Sequence, residues 1–115
     1  MGLDIYLDDK RVARWSYSGF NVFRQRLAAQ IGLSLKKMWG FGGEVPWDFI
    51  VDPIAPLLNH SDCEGHLTPE QCYEVGPRLR AMLETWPLDY DRSEGMALAA
   101  AMDAAAMAGK NLEFK

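Results

Sequence analysis

Thiols and imidazoles are scarce in this sequence: it carries two cysteines and two histidines among 115 residues. Two cysteines are too few for the disulfide scaffold of a secreted mini-protein. Long hydrophobic runs are missing too. The longest wholly apolar stretch, residues 96–102, falls far short of the ~20 residues a bilayer-spanning helix needs. At the start of the chain Asp4, Asp8 and Asp9 leave neither a basic n-region nor an apolar h-region. Tyr6 stands where a myristoylation signal requires Ser or Thr. Neither internal repeats nor an interdomain linker is visible, and basic residues are in the minority, 12 against 16 acids. Membrane attachment is thus not expected, nucleic acid is disfavoured as a partner, and the cytoplasm is the expected compartment.

What is present reads as an ordinary globular chain, 49% apolar and 24% charged. Its length fits a single domain over residues 1–115, one that buries roughly 65% of the extended chain's surface. Leu3, Ile5 and Leu7 alternate with Asp4 and Tyr6, the period-2 pattern of a half-buried strand. Asp8-Asp9-Lys10 supplies turn chemistry, and residues 11–17 read as the returning strand, with Ala13, Trp15 and Tyr17 on one face. A lone hairpin is marginal in water. It needs helices or a third strand, for which residues 112–115 alternate suitably.

Helix signals are stronger. Ser18 is placed to cap a helix whose apolar stripe is Phe20, Phe23, Leu27 and Ile31, with Arg24 and Gln25 turned outward. Gly32 and the Gly40-Phe41-Gly42-Gly43 run then break regular structure, in a loop dense in Trp39, Phe41, Trp47 and Phe49. A short helix is expected from Asp52-Pro53 toward Leu58. Thr68-Pro69-Glu70-Gln71 has the form of a capping box with proline at the first helical position. The helix it opens sets Cys72, Val75, Leu79, Leu83 and Trp86 on one face, is kinked at Gly76-Pro77 and stops at Trp86-Pro87. Asp91 and Glu94 repeat the capping logic for an alanine-rich helix over about 93–108, closed by Gly109. The expected architecture is mostly helical α+β: three or four helices packed with a two- or three-stranded antiparallel sheet.

Every histidine and cysteine lies between residues 60 and 72. His60, Cys63, His66 and Cys72 offer the donor types of a tetrahedral zinc shell, although the spacing is not that of a finger. Asp62, Glu64 and Gly65, followed by Leu67, look like the second half of a calcium loop. That reading lacks an acid at His60 and a bidentate Glu at Gln71, and no second loop is evident to pair with Leu67. Cys63 beside His60 or His66 is a weak candidate nucleophile with its base. The plainer reading is a polar loop: Asn59 ends one helix, Asp62 satisfies amides, Gly65 takes positive φ and Thr68 starts the next helix. It requires no cofactor and no catalytic residue, and it ranks first. Metal binding by His60, Asp62, Cys63, Glu64 and His66 ranks second, and a cysteine enzyme third.

The start Met1-Gly2-Leu3-Asp4 and the run Leu58-Asn59-His60-Ser61-Asp62-Cys63-Glu64-Gly65 resemble small uncharacterised proteins of bacterial and phage genomes. The likeness extends through Thr68-Pro69-Glu70 to Leu112-Glu113-Phe114. It implies a provenance and transfers no activity.

Charge is segregated along the chain. Residues 10–37 hold seven bases and no acid, whereas residues 38–77 hold seven acids and no base. Either the blocks pair within the fold or they form opposed patches for a partner. The basic hairpin, with Trp15 and Tyr17 among Arg11 and Arg14, is where a nucleic acid would have to stack. The leading expectation is a small intracellular binding or regulatory protein that acts on another protein. Its binding loops would be Trp39, Phe41 and Trp47, and Asn59, His60, Asp62, Cys63 and Glu64.

Overall fold

The computed structural model describes residues 2–115 and is α+β and mostly helical. β1 (Gly2–Leu7) and β2 (Lys10–Ser16) form the expected hairpin. It is followed by α1 (Tyr17–Gln30), a short α2 (Ala55–Leu58), β3 (Gly65–Leu67), α3 (Pro69–Leu83), α4 (Tyr90–Ala108) and β4 (Leu112–Phe114). The sheet has four antiparallel strands in the order β2-β1-β4-β3, one more than the two or three expected. The extra strand, β3, is three residues long and begins with glycine. Three residues carry too little alternation to stand out from a loop. β4 pairs with it, setting Leu67 opposite Leu112.

Alternation fixes which side of the hairpin is dry. Leu3 and Ile5 are fully buried, and Ala13 and Trp15 nearly so. Tyr17 departs from the expected strand and is the first residue of α1. The cap of that helix is Ser16 rather than Ser18: Ser16 closes β2 in extended backbone, and its hydroxyl accepts from the Gly19 amide at 3.0 Å. One residue thus ends a strand and starts a helix, and no loop separates them.

The stripe of α1 is buried at Phe20, Phe23 and Leu27. Trp15 stacks on Phe23, ring centroids 4.7 Å apart, and donates its indole N–H to Asp91 Oδ1 at 3.0 Å. The cap of α4 also differs from expectation. Asp91 receives the Trp15 indole, while Asp89 caps α4 by accepting from the Arg92 amide at 2.9 Å. The helix therefore opens at Tyr90, before the expected position 93. Gly109 ends it in the left-handed conformation.

The Thr68–Gln71 capping box forms with both reciprocal bonds, Thr68 N–H to Gln71 Oε1 at 2.9 Å and Gln71 N–H to Thr68 Oγ1 at 3.2 Å. The α3 that follows buries Cys72, Val75, Leu79 and Leu83 and remains helical through Pro77. It ends at Leu83, so Trp86 lies past the helix and is half-buried, its ring edge-on to Phe23. α3 and α4 run antiparallel, since Gly76 faces Met102 and Leu83 faces Gly95. A Cβ on Gly76 would stand 2.6 Å from Asp103 Oδ1 and 3.2 Å from Met102 Cβ, so glycine sets how closely the helices approach. No helix among the described residues is long and apolar enough to cross a membrane.

Candidate functional site

Between α1 and α2 the chain builds an arm over residues 38–51, with only a single 3-10 turn at Trp47–Phe49. Its base is a ring of backbone bonds. Trp39 N–H donates to Val45 O at 2.8 Å, Val45 N–H to Lys37 O at 3.0 Å and Phe41 N–H to Met38 O at 3.0 Å. Gly40 and Gly42 have φ of 90° and 98°. Gly43 crosses so close to the Lys37 backbone that any Cβ would overlap it. The glycine run is thus what allows the loop to close on itself.

That closure divides the aromatic residues of the arm. Phe41 turns inward, and Trp47 lies edge-on to it at 5.9 Å while donating its indole N–H to Trp39 O at 2.9 Å. Trp39, Phe49 and Val51 point away and are 69%, 75% and 93% exposed. A cleft of about 460 Å³ lies between Trp39, Pro46, Trp47 and Asn59, with Glu44 and Asp48 in its wall.

The 59–66 loop holds the other expected residues. His60 packs its ring on Phe114, centroids 4.0 Å apart. Its Nδ1 faces Ser61 O at 2.9 Å and its Nε2 faces His66 O at 3.1 Å. The latter contact covers the outer edge of β3, since β4 occupies the other edge. Gly65 (φ 116°) passes directly over this ring, and a Cβ there would lie 3.2 Å from His60 Cε1. His66 is exposed and belongs to β3 rather than to the loop.

Cys63 is exposed with its sulfur 3.4 Å from Ser61 Oγ, and Glu64 is exposed beside it. Cys72 lies in the core, where burial pushes its thiol up to about 11. The segment's histidines and cysteines therefore diverge. Among the described residues no three of His, Cys, Asp or Glu are arranged to hold a metal ion. Both ring nitrogens of His60 face carbonyl oxygens, so neither is directed at the Cys63 thiol as a base.

The central residue of this region is Arg24, which is buried rather than turned outward as expected. Arg24 is only 2% exposed. Its guanidinium lies between two rings, 4.8 Å from the Phe20 centroid and 5.0 Å from that of Phe41. Nη1 donates to His60 O, Nη2 donates to Asn21 Oδ1 at 3.3 Å, and the buried Nε–H has no partner. Burial pushes the guanidinium below its ordinary value, and Asp62 pulls the other way. A second cleft, of about 450 Å³, is lined by Asn21, Arg24, Phe41, Asn59, His60 and Asp62. The signal for Arg24 was present in the sequence. It follows Phe20 by four residues and precedes Leu27 by three, which places it on the buried face.

The charged blocks do not pair with each other at contact distance. Arg11 and Arg14 meet Asp4, and Arg26 meets Asp89 and Asp91. Within the acidic block Asp52 is held by Arg78, and among the described residues Glu44, Asp48, Asp62 and Glu64 have no ion pair. Trp15, which the hairpin would need for stacking on bases, is in the core. No protein-family model, no curated protein and no solved structure matches this chain.

Proposed function

We propose that this protein is a binding module that recognises a basic segment of another protein through the 38–51 arm. The observation that carries the reading is the exposure of Trp39, Phe49 and Val51 on one short segment that also holds unpaired acids. Large aromatic side chains left in water on a loop tied at its base suit interface anchors. The cleft between Trp39 and Trp47 has an aromatic wall and two carboxylates, Glu44 and Asp48. This is the chemistry that accepts a lysine or arginine side chain by cation–π attraction and charge. Opposite charge also speeds encounter, and salt weakens it. No catalytic residue and no cofactor enter this reading.

Titration with short lysine- and arginine-rich peptides, followed by tryptophan fluorescence, tests it. Saturable binding is expected that weakens with added salt, is lost in Trp39→Ala, and is weakened by Glu44→Gln with Asp48→Asn. Equal binding of acidic or uncharged peptides would refute the proposal, as would no response to any basic peptide at low salt.

A further inference from the structure

The buried arginine adjoins a second cleft, beside that of the arm. A guanidinium taken out of water is costly unless a carboxylate or a full set of acceptors receives it. Arg24 is 2% exposed, and among the described residues no carboxylate contacts it. Two protein acceptors, His60 O and Asn21 Oδ1, take two of the five N–H groups of an arginine, and the buried Nε–H has none. The phenyl rings of Phe20 and Phe41 hold the cation by their faces and supply no acceptor. The cation is held in place while part of its donor capacity is unused.

The adjoining cleft of about 450 Å³ has the size of a small-molecule site. Asn21, Asn59 and Ser61 line it as further polar residues, and Asp62 lines the same wall. Arg24 and Asp62 line this one cleft with no ion pair between them among the described residues, so cation and anion are set apart within it. A simple dianion such as phosphate would meet Asp62 as a like charge. A ligand with its own separated charges meets both.

We infer that the Arg24–Asp62 cleft binds a small zwitterion of the α-amino acid class, its carboxylate toward Arg24 and its ammonium toward Asp62. The amides of Asn21 and Asn59 then supply the lateral hydrogen bonds. Phe41 joins the cleft to the arm, since its ring covers Arg24 on one side and meets Trp47 on the other.

The test is a titration of the isotope-labelled full chain by NMR, with glycine and L-alanine as probes and acetate, methylammonium and inorganic phosphate as partial ones. Saturable shifts are expected for glycine at the amides of residues 21, 24, 41 and 59–62 and at the Arg24 Nε–H, with a Kd on the order of 1 mM or tighter. Acetate should bind more weakly, methylammonium and phosphate more weakly still. Asp62→Asn should lower glycine affinity about fivefold and leave acetate unchanged or improved. Its dispersed spectrum serves as the control for folding. Acetate or phosphate binding as tightly as glycine would overturn the inference, as would shifts confined to other surfaces or no saturable response at about 50 mM.

Discussion

Trp15 and Trp39 are the same side chain with opposite fates, and so are the regions around them. Trp15 is 2% exposed, stacked on Phe23 and hydrogen-bonded to Asp91, in a region where hairpin, α1 and α4 converge. Trp39 is 69% exposed, on an arm whose closure rests on backbone bonds and three glycines. The first region has periodic sequence, so its apolar residues share a face and exclude water together. The arm has aromatic content without period, and its ring geometry directs some side chains in and others out. Aromatic residues therefore contribute to stability in one place and remain in water in the other.

The sharpest way to break this comparison is to truncate both tryptophans. Trp15→Ala should cost about 4 kcal/mol, from lost burial, a cavity and an Asp91 left without its indole donor. Trp39→Ala should stay within about 0.5 kcal/mol. Chemical denaturation measures both, and a Trp39 cost near that of Trp15 would show the arm to be part of the core.

Next in size is the contact between α3 and α4. Gly76→Val should destabilise by about 2 kcal/mol, because its side chain meets Asp103 and Met102 in a site with no room. Little loss in thermal melts would mean that the helices separate easily, unlike a packed core.

His60 and Thr68 then compare a loop side chain with a cap. A loop histidine without contacts would be replaceable within about 0.5 kcal/mol, the expectation from sequence alone. Its ring instead stacks on Phe114 and covers the edge of β3. His60→Asn should therefore cost about 1–2 kcal/mol, and a chelator should leave the wild-type melt unchanged. A sharp fall with chelator, absent in His60→Asn, would restore the metal alternative. Thr68→Ala should cost about 1 kcal/mol by loss of the capping hydroxyl.

The smallest effect is one of pH. Hydrogen bonds from Arg78, helped by the Ile54 amide, hold the Asp52 carboxyl below its ordinary value against the opposing effect of burial. A lowered folded-state value means this stabilisation is fully present above the unfolded carboxylate range. It is lost as pH falls through that range toward the folded value. Melting between about pH 5 and pH 2 should therefore show a shallower acid loss in Asp52→Asn than in wild type. Parallel curves would mean that the pair contributes nothing measurable, as many exposed ion pairs do.

Legibility in the sequence followed the range of the interaction. The hairpin, the stripe of α1, the Thr68 capping box and the Gly109 stop are set by residues two to four apart, and they stand where the pattern placed them except at two ends, Tyr17 entering α1 and Ile31 falling just past it. The cap shifts from Ser18 to Ser16 and from Asp91 to Asp89 are of another kind. Several residues near each helix start could cap, and the ones that do are Ser16 at the end of β2 and Asp89, with Asp91 bonded instead to Trp15.

The candidate site was the least legible part. Residues 59–72 gathered every histidine and cysteine in sequence, yet in space Cys72 is in the core, His60 is on Phe114 and Cys63 faces solvent. Proximity along a chain does not fix the directions of side chains. Arg24 has the spacing of a buried residue, but its charge points it outward on sequence alone, because charge ordinarily outweighs spacing.

The sequence by itself determined a mostly helical α+β fold, its hairpin, the Thr68 start of α3, the Gly109 stop of α4 and the segregation of charge. All of these rest on local periodicity, on capping hydroxyls and on composition. Only the tertiary structure decided the fourth strand, the burial of Arg24 between Phe20 and Phe41, and which aromatic residues of the arm remain in water. Each of these depends on groups far apart in the chain meeting a particular neighbour. A three-residue strand exists only if β4 lies beside it, and a guanidinium leaves water only if rings and carbonyls from other segments receive it.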